Sequence, residues 1–120
     1  FADVCDDHNM ALVFFLAPTS NERRIELTAT NATGFIYVVS LTGITGARTE
    51  LPQDLKDFIA RIREKTDTPL VLGFGISTPD HARRMHGLVN GFIVGSALVR
   101  AAKDSPDAVR ELARSLRNAL

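Results

Sequence analysis

The stretch Gly34-Phe35-Ile36-Tyr37-Val38-Val39-Ser40-Leu41-Thr42-Gly43-Ile44-Thr45-Gly46-Ala47-Arg48 decides how the rest of the chain is read. Phe35 to Val39 is apolar without alternation, apart from the phenol of Tyr37. A strand with one wet face alternates apolar and polar residues; an unbroken run means cover on both faces. The run ends in a polar, glycine-bearing segment from Ser40 to Glu50, and this unit recurs in both directions. Upstream, Met10 to Leu16 is a second apolar run, closed by Pro18 and a Thr19-Ser20 helix-start signal, with a helix expected over Asn21 to Thr30. Downstream, Pro52 stands where a first-turn proline belongs. The helix it opens carries Leu55, Phe58, Ile59 and Ile62 on one face at i, i+3, i+4, i+7 spacing.

Past Pro69 the pattern repeats twice more. Leu70 to Leu72 predicts a strand, Gly73-Phe74-Gly75-Ile76-Ser77 a glycine loop, and Pro79-Asp80 a helix running to about Leu88. Gly91 to Val94 predicts the fourth strand, and Gly95-Ser96 starts a helix at once. Asp104-Ser105-Pro106 restarts a last helix, Asp107 to about Asn118, with Val109, Leu112 and Leu116 inward and arginines outward. Strands lie about 22 to 35 residues apart, as in βα units. Doubly covered strands joined by helical crossovers give an α/β fold with a parallel sheet. Two architectures fit: a small open sheet, or part of a (β/α) barrel. A whole barrel takes about 200 residues or more, so four units would be half of one.

Composition narrows the function classes. The 120 residues are 45% hydrophobic and 23% charged, ordinary for one soluble globular domain at most. Basic and acidic residues number 14 each, so no net field favours nucleic acid or an anionic membrane. The longest apolar runs, about seven or eight residues, are too short to cross a bilayer. The lone Cys5 makes no internal disulfide, and with no signal-like segment this suggests a reducing cytoplasm. Its ordinary reading is a small half-buried helix residue. Phe1, rather than methionine, opens the chain within a helix-like stretch, which suggests an excised or incomplete piece.

In either architecture ligands bind at the C-terminal ends of the strands. Three of the four loops there, Ser40 to Gly46, Gly73 to Ser77 and Gly95-Ser96, are rich in glycine and hydroxyls. Bare N–H groups, a helix N-terminus and a serine hydroxyl suit a phosphate monoester, and glycines let backbone approach its oxygens. Neither Gly-x-Gly-x-x-Gly nor Gly-Lys-[Ser/Thr] occurs, which argues against dinucleotide and P-loop sites. No Asp, Glu, His, Lys or Cys sits at a strand end. Arg48 and Glu50 read as solvated loop charges, with a lid role as the alternative. His8, His81 and His86 read as helix-surface residues at no metal-ligand spacing. Tyr37 is either a hydrogen-bonded core residue or a phenol available to a developing charge.

These motifs together resemble the tryptophan synthase alpha chain family. Gly34 to Arg48 resembles the sixth strand of that barrel and its following loop. Gly73 to Pro79 and Val94 to Ala97 resemble the seventh and eighth strand loops, and Phe15 to Thr19 the end of the fifth strand. The resemblance covers essentially the whole chain. It implies the C-terminal half of a TIM (β/α)8 barrel, four parallel βα units, with residues 1–120 a single partial domain. It also implies retro-aldol cleavage of indole-3-glycerol phosphate to indole and glyceraldehyde 3-phosphate in tryptophan biosynthesis, without cofactor or metal. By matching position, Thr45, Gly46, Gly75, Gly95 and Ser96 would grip the phosphate, Leu16 and Phe74 would line the indole pocket, and Tyr37 would be the active-site tyrosine. Ser40 to Glu50 would close over substrate and communicate with a beta subunit, the expected partner. The family's general acid/base glutamate and its aspartate belong to the other half of the barrel. Two unpaired strand edges and an uncovered sheet face then predict pairing with an N-terminal half, or self-association. The competing reading is a phosphate-binding half-barrel scaffold with no turnover of its own.

Overall fold

A computed structural model describes residues 1–39, 51–73 and 75–119. In chain order the elements are α1 (Ala2–Asp7), β1 (Phe14–Leu16), α2 (Glu22–Asn31), β2 (Ile36–Val39), α3 (Gln53–Arg63), β3 (Leu70–Gly73), α4 (Pro79–Met85), β4 (Gly91–Ile93), α5 (Ser96–Asp104) and α6 (Pro106–Arg117). The four strands form one sheet in the order β1-β2-β3-β4, every pair parallel. This order separates the two architectures left open by the periodicity. A doubly wound sheet reverses its strand order to place helices on both faces. Strictly sequential order, with crossovers of one hand, puts all the connecting helices on one side, as in a barrel wall.

The burial pattern agrees. Register pairs Phe14 with Ile36, Phe15 with Tyr37 and Leu16 with Val38, then Tyr37 with Val71 and Val38 with Leu72. Leu16, Ile36, Val38, Leu70 and Leu72 therefore share one face, and all are buried. They pack with Ile25 of α2, Leu55, Phe58, Ile59 and Ile62 of α3, Ala82 and Met85 of α4 and Leu116 of α6 in one cluster. The opposite face carries Phe15, Tyr37, Val71 and Ile93. Phe15 is 57% and Ile93 40% exposed. Among the described residues β1 and β4 each pair on one side only. The chain has the wall of a half-barrel, with its helix-covered side closed and its inner side open.

Local signals set the boundaries. Asn21, Thr78 and Ser105 cap α2, α4 and α6, each accepting a first-turn N–H. Ser105 is extended and ends α5 as it begins α6, because Pro106 disfavours helical backbone in the residue before it. Three expectations need adjusting. The first strand is confined to Phe14–Leu16: upstream, Leu12 is held to Thr33 through the threonine hydroxyl (2.9 Å) and backbone (3.2 Å) rather than by a ladder. The fourth helix stops at Met85, since His86 turns extended and Gly87 takes φ +76°. Pro52 is the N-cap of α3 rather than its first-turn residue.

Candidate active site

The C-terminal ends of β2, β3 and β4 lie side by side, so the segments that leave them share one rim. Tyr37 projects from β2 onto the open face, where its ring meets Phe15 at 4.9 Å between centroids, tilted by 37°. The ring also leans toward the rim and across to β3. A Cβ on Gly73 would stand 1.8 Å from the phenol oxygen and 2.1 Å from the ring carbon that bears it. Gly73 is thus the gap in the neighbouring strand that the phenol occupies. Two residues further on, Gly75 has φ +80°, a conformation in which a Cβ is strained. Ile76, 4% exposed, then plugs the loop into the core.

At the next strand end, Gly95 caps α5 without any side-chain hydrogen bond. Ser96 is the first helical residue and is exposed. The first-turn N–H groups of a helix lack intrahelical acceptors, and here no side chain of the cap residue takes one up. Among the described residues, a Cβ on Gly95 would meet nothing within 4 Å. Open space, uncapped N–H groups and the positive end of a helix are what an anion requires.

Of the sequence-predicted residues, Tyr37, Gly75, Gly95 and Ser96 reach this rim. Thr45, Gly46 and Phe74, together with Arg48 and Glu50, lie outside the described residues. Leu16 is 1% exposed, inside the helix-facing core. Alternation along β1 turns its neighbour Phe15 to the face of Tyr37. An unbroken apolar run carries no sign of which residue faces which way, so this was not legible before the register was known. Gly73 was also missed as a space-maker beneath Tyr37. No local pattern marks it, because the ring that fills the gap comes from the neighbouring strand. His81, read as a surface residue, accepts the backbone N–H of Ser77 at Nδ1, 3.3 Å away. No described helix is long and apolar enough to cross a membrane.

Comparisons with known proteins agree with this fold. A sequence model of the family described as tryptophan synthase alpha chain matches residues 1–119. The tryptophan synthase alpha chain of Chloroflexus aggregans is 50% identical over 92 residues, which cover 77% of this chain and 34% of that protein. The one from Dehalococcoides mccartyi is 43% identical over 111 residues, 91% of this chain and 44% of that one. Among solved structures, Mycobacterium tuberculosis tryptophan synthase superposes with a TM-score of 0.87 at 30% identity, covering 98% of this chain and 45% of that one. A structure titled for mutual activation of the tryptophan synthase a2b2 complex from Pyrococcus furiosus gives 0.81 at 31% identity, covering 97% and 48%. The chain therefore spans less than half the length of these relatives. With a family match along nearly all of its residues and the wall of a half-barrel as its fold, the chain belongs to the tryptophan synthase alpha chain family.

Proposed function

We propose that residues 1–120, as part of one barrel domain, supply the phosphate-binding and indole-binding side of an active site that cleaves indole-3-glycerol phosphate. The observation that carries this reading is the shared rim: Tyr37 leaning over Gly73 toward strand ends that bear Gly75 and the uncapped α5 N-terminus at Gly95-Ser96. Thr45, Gly46, Gly75, Gly95 and Ser96 hold the phosphate. Phe74 and, in place of Leu16, Phe15 lie against the flat indole ring, with Tyr37 beside the reacting atoms.

In the retro-aldol step the bond between indole C3 and the hydroxyl-bearing carbon of the side chain breaks. That hydroxyl loses its proton as its carbon becomes the aldehyde of glyceraldehyde 3-phosphate, and indole C3 gains one. A fixed phosphate and a boxed indole hold the bond to be broken in place, the positional part of catalysis. The proton transfers fall to the family's carboxylates on the N-terminal half of the barrel. A beta subunit that takes the indole is the proposed partner, and the cytoplasm, where the free Cys5 stays reduced, the proposed compartment.

Indole release from indole-3-glycerol phosphate, measured with a beta subunit present, tests the assignment. The expected result is release by the complete barrel and none by a folded sample of the 120-residue chain. Release by the short chain would overturn the split of roles and point to Glu50 or another local acid.

A further inference from the structure

The cap of α4 differs from those of α2 and α6 in having a second bond that runs backwards. Thr78 Oγ1 accepts the N–H of His81 at 3.3 Å, and His81 Nδ1 accepts the N–H of Ser77 at 3.3 Å. The arrangement has the logic of a capping box, in which an N-cap hydroxyl serves the third helical residue and that residue's side chain reaches back. Here histidine replaces the usual Glu or Gln, and the N–H it receives is that of the residue before the cap. Ser77 lies between the helix and Gly75, whose φ of +80° bends the chain out of β3. The β3 exit is therefore fixed on two sides, by buried Ile76 in the core and by the His81 ring on the Ser77 backbone.

We infer that His81 is a positioning residue for phosphate binding: by accepting the Ser77 N–H it holds the Gly75–Ser77 backbone in the shape in which the loop meets the ligand. The inference rests on the phosphate reading of Gly75 given above. An acceptor at Nδ1 requires the proton of the neutral ring to sit on Nε2. His81 does not touch the ligand; it acts through the loop. A loop already in its binding shape loses less conformational entropy when the anion arrives.

Two variants of the full chain separate the acceptor from the ring. His81→Phe keeps a ring and removes the acceptor. His81→Asn removes the ring but places Oδ1 as many bonds from the backbone as Nδ1. Calorimetric titration with glycerol 3-phosphate should show His81→Phe binding about three- to tenfold more weakly, and His81→Asn within about twofold of the parent, the scale of one neutral hydrogen bond. Amide exchange at Ser77 should quicken in the first variant and recover in the second. Equal affinity in all three proteins would overturn the inference, and so would equal weakening in both variants, which would mark a packing role. Gly75→Val distinguishes the two levels of failure. Lost affinity there, beside an unaffected His81→Phe, removes only the role of His81; unchanged affinity there removes the phosphate reading of the loop as well.

Discussion

Tyr37 and Gly73 illustrate how one side chain's position depends on another's absence. The phenol occupies the volume that any Cβ at position 73 would fill, so Gly73→Ala must displace the ring or the strand. Overpacking of this kind costs about 1–3 kcal/mol. Tyr37 is the single tyrosine and the chain has no tryptophan, so tyrosine emission reports the displacement directly. We expect a changed spectrum in the 120-residue chain, slowed indole release in a completed barrel, and a smaller stability cost when Gly73→Ala is made in a Tyr37→Ala background. An undiminished cost there would show that the strain lies in the backbone of β3. In a completed barrel, Tyr37→Phe keeps the ring and should slow turnover by a few-fold to about tenfold, the range of one lost hydrogen bond, with phosphate binding intact; equal losses of both would make Tyr37 structural. At Gly95, where a Cβ meets nothing within 4 Å among the described residues, Gly95→Leu should leave the melting temperature nearly unchanged and abolish glycerol phosphate binding. Retained binding would remove Gly95 from the phosphate site.

Among the elements, α3 was the most legible. Leu55, Phe58, Ile59 and Ile62 were placed on one face by spacing alone, and all four are buried. Ile62→Ala should cost about 2–5 kcal/mol in thermal or denaturant unfolding, because a rigid core does not collapse fully around the lost volume. A cost below that range would mean that α3 shifts to fill the space. The exposed pairs made by α2, Glu22 with Arg61 of α3 and Glu26 with Lys65 just beyond it, should contribute much less, since water and salt screen them. Caps were legible too: Ser105 both ends α5 and starts α6, and Ser105→Ala should cost about 1 kcal/mol. Less legible were the ends of elements that depend on partners, such as the Met10 to Val13 segment, where Thr33 supplies the bond that a ladder would have given.

For the molecule as a whole, the open inner face is the dominant feature. Exposed Phe15 and Ile93, with single-sided β1 and β4, leave apolar surface and strand edges of the kind that pair with other chains. The 120-residue chain by itself is expected to bind an apolar dye and to sediment as more than a monomer; a monomer without dye binding would count against this. Pattern alone indicated four strand-helix units, the inward face of α3 and the helix restart at Ser105, because each rests on residues close together in sequence. Strand order, and with it the choice between open sheet and barrel wall, came only from tertiary structure. So did the exchange of Leu16 for Phe15 on the face of Tyr37, the gap at Gly73 and the grip of His81 on Ser77. Strands apolar on both sides hold no alternation from which to assign a face, and a missing side chain shows its purpose only beside the neighbour that fills its place.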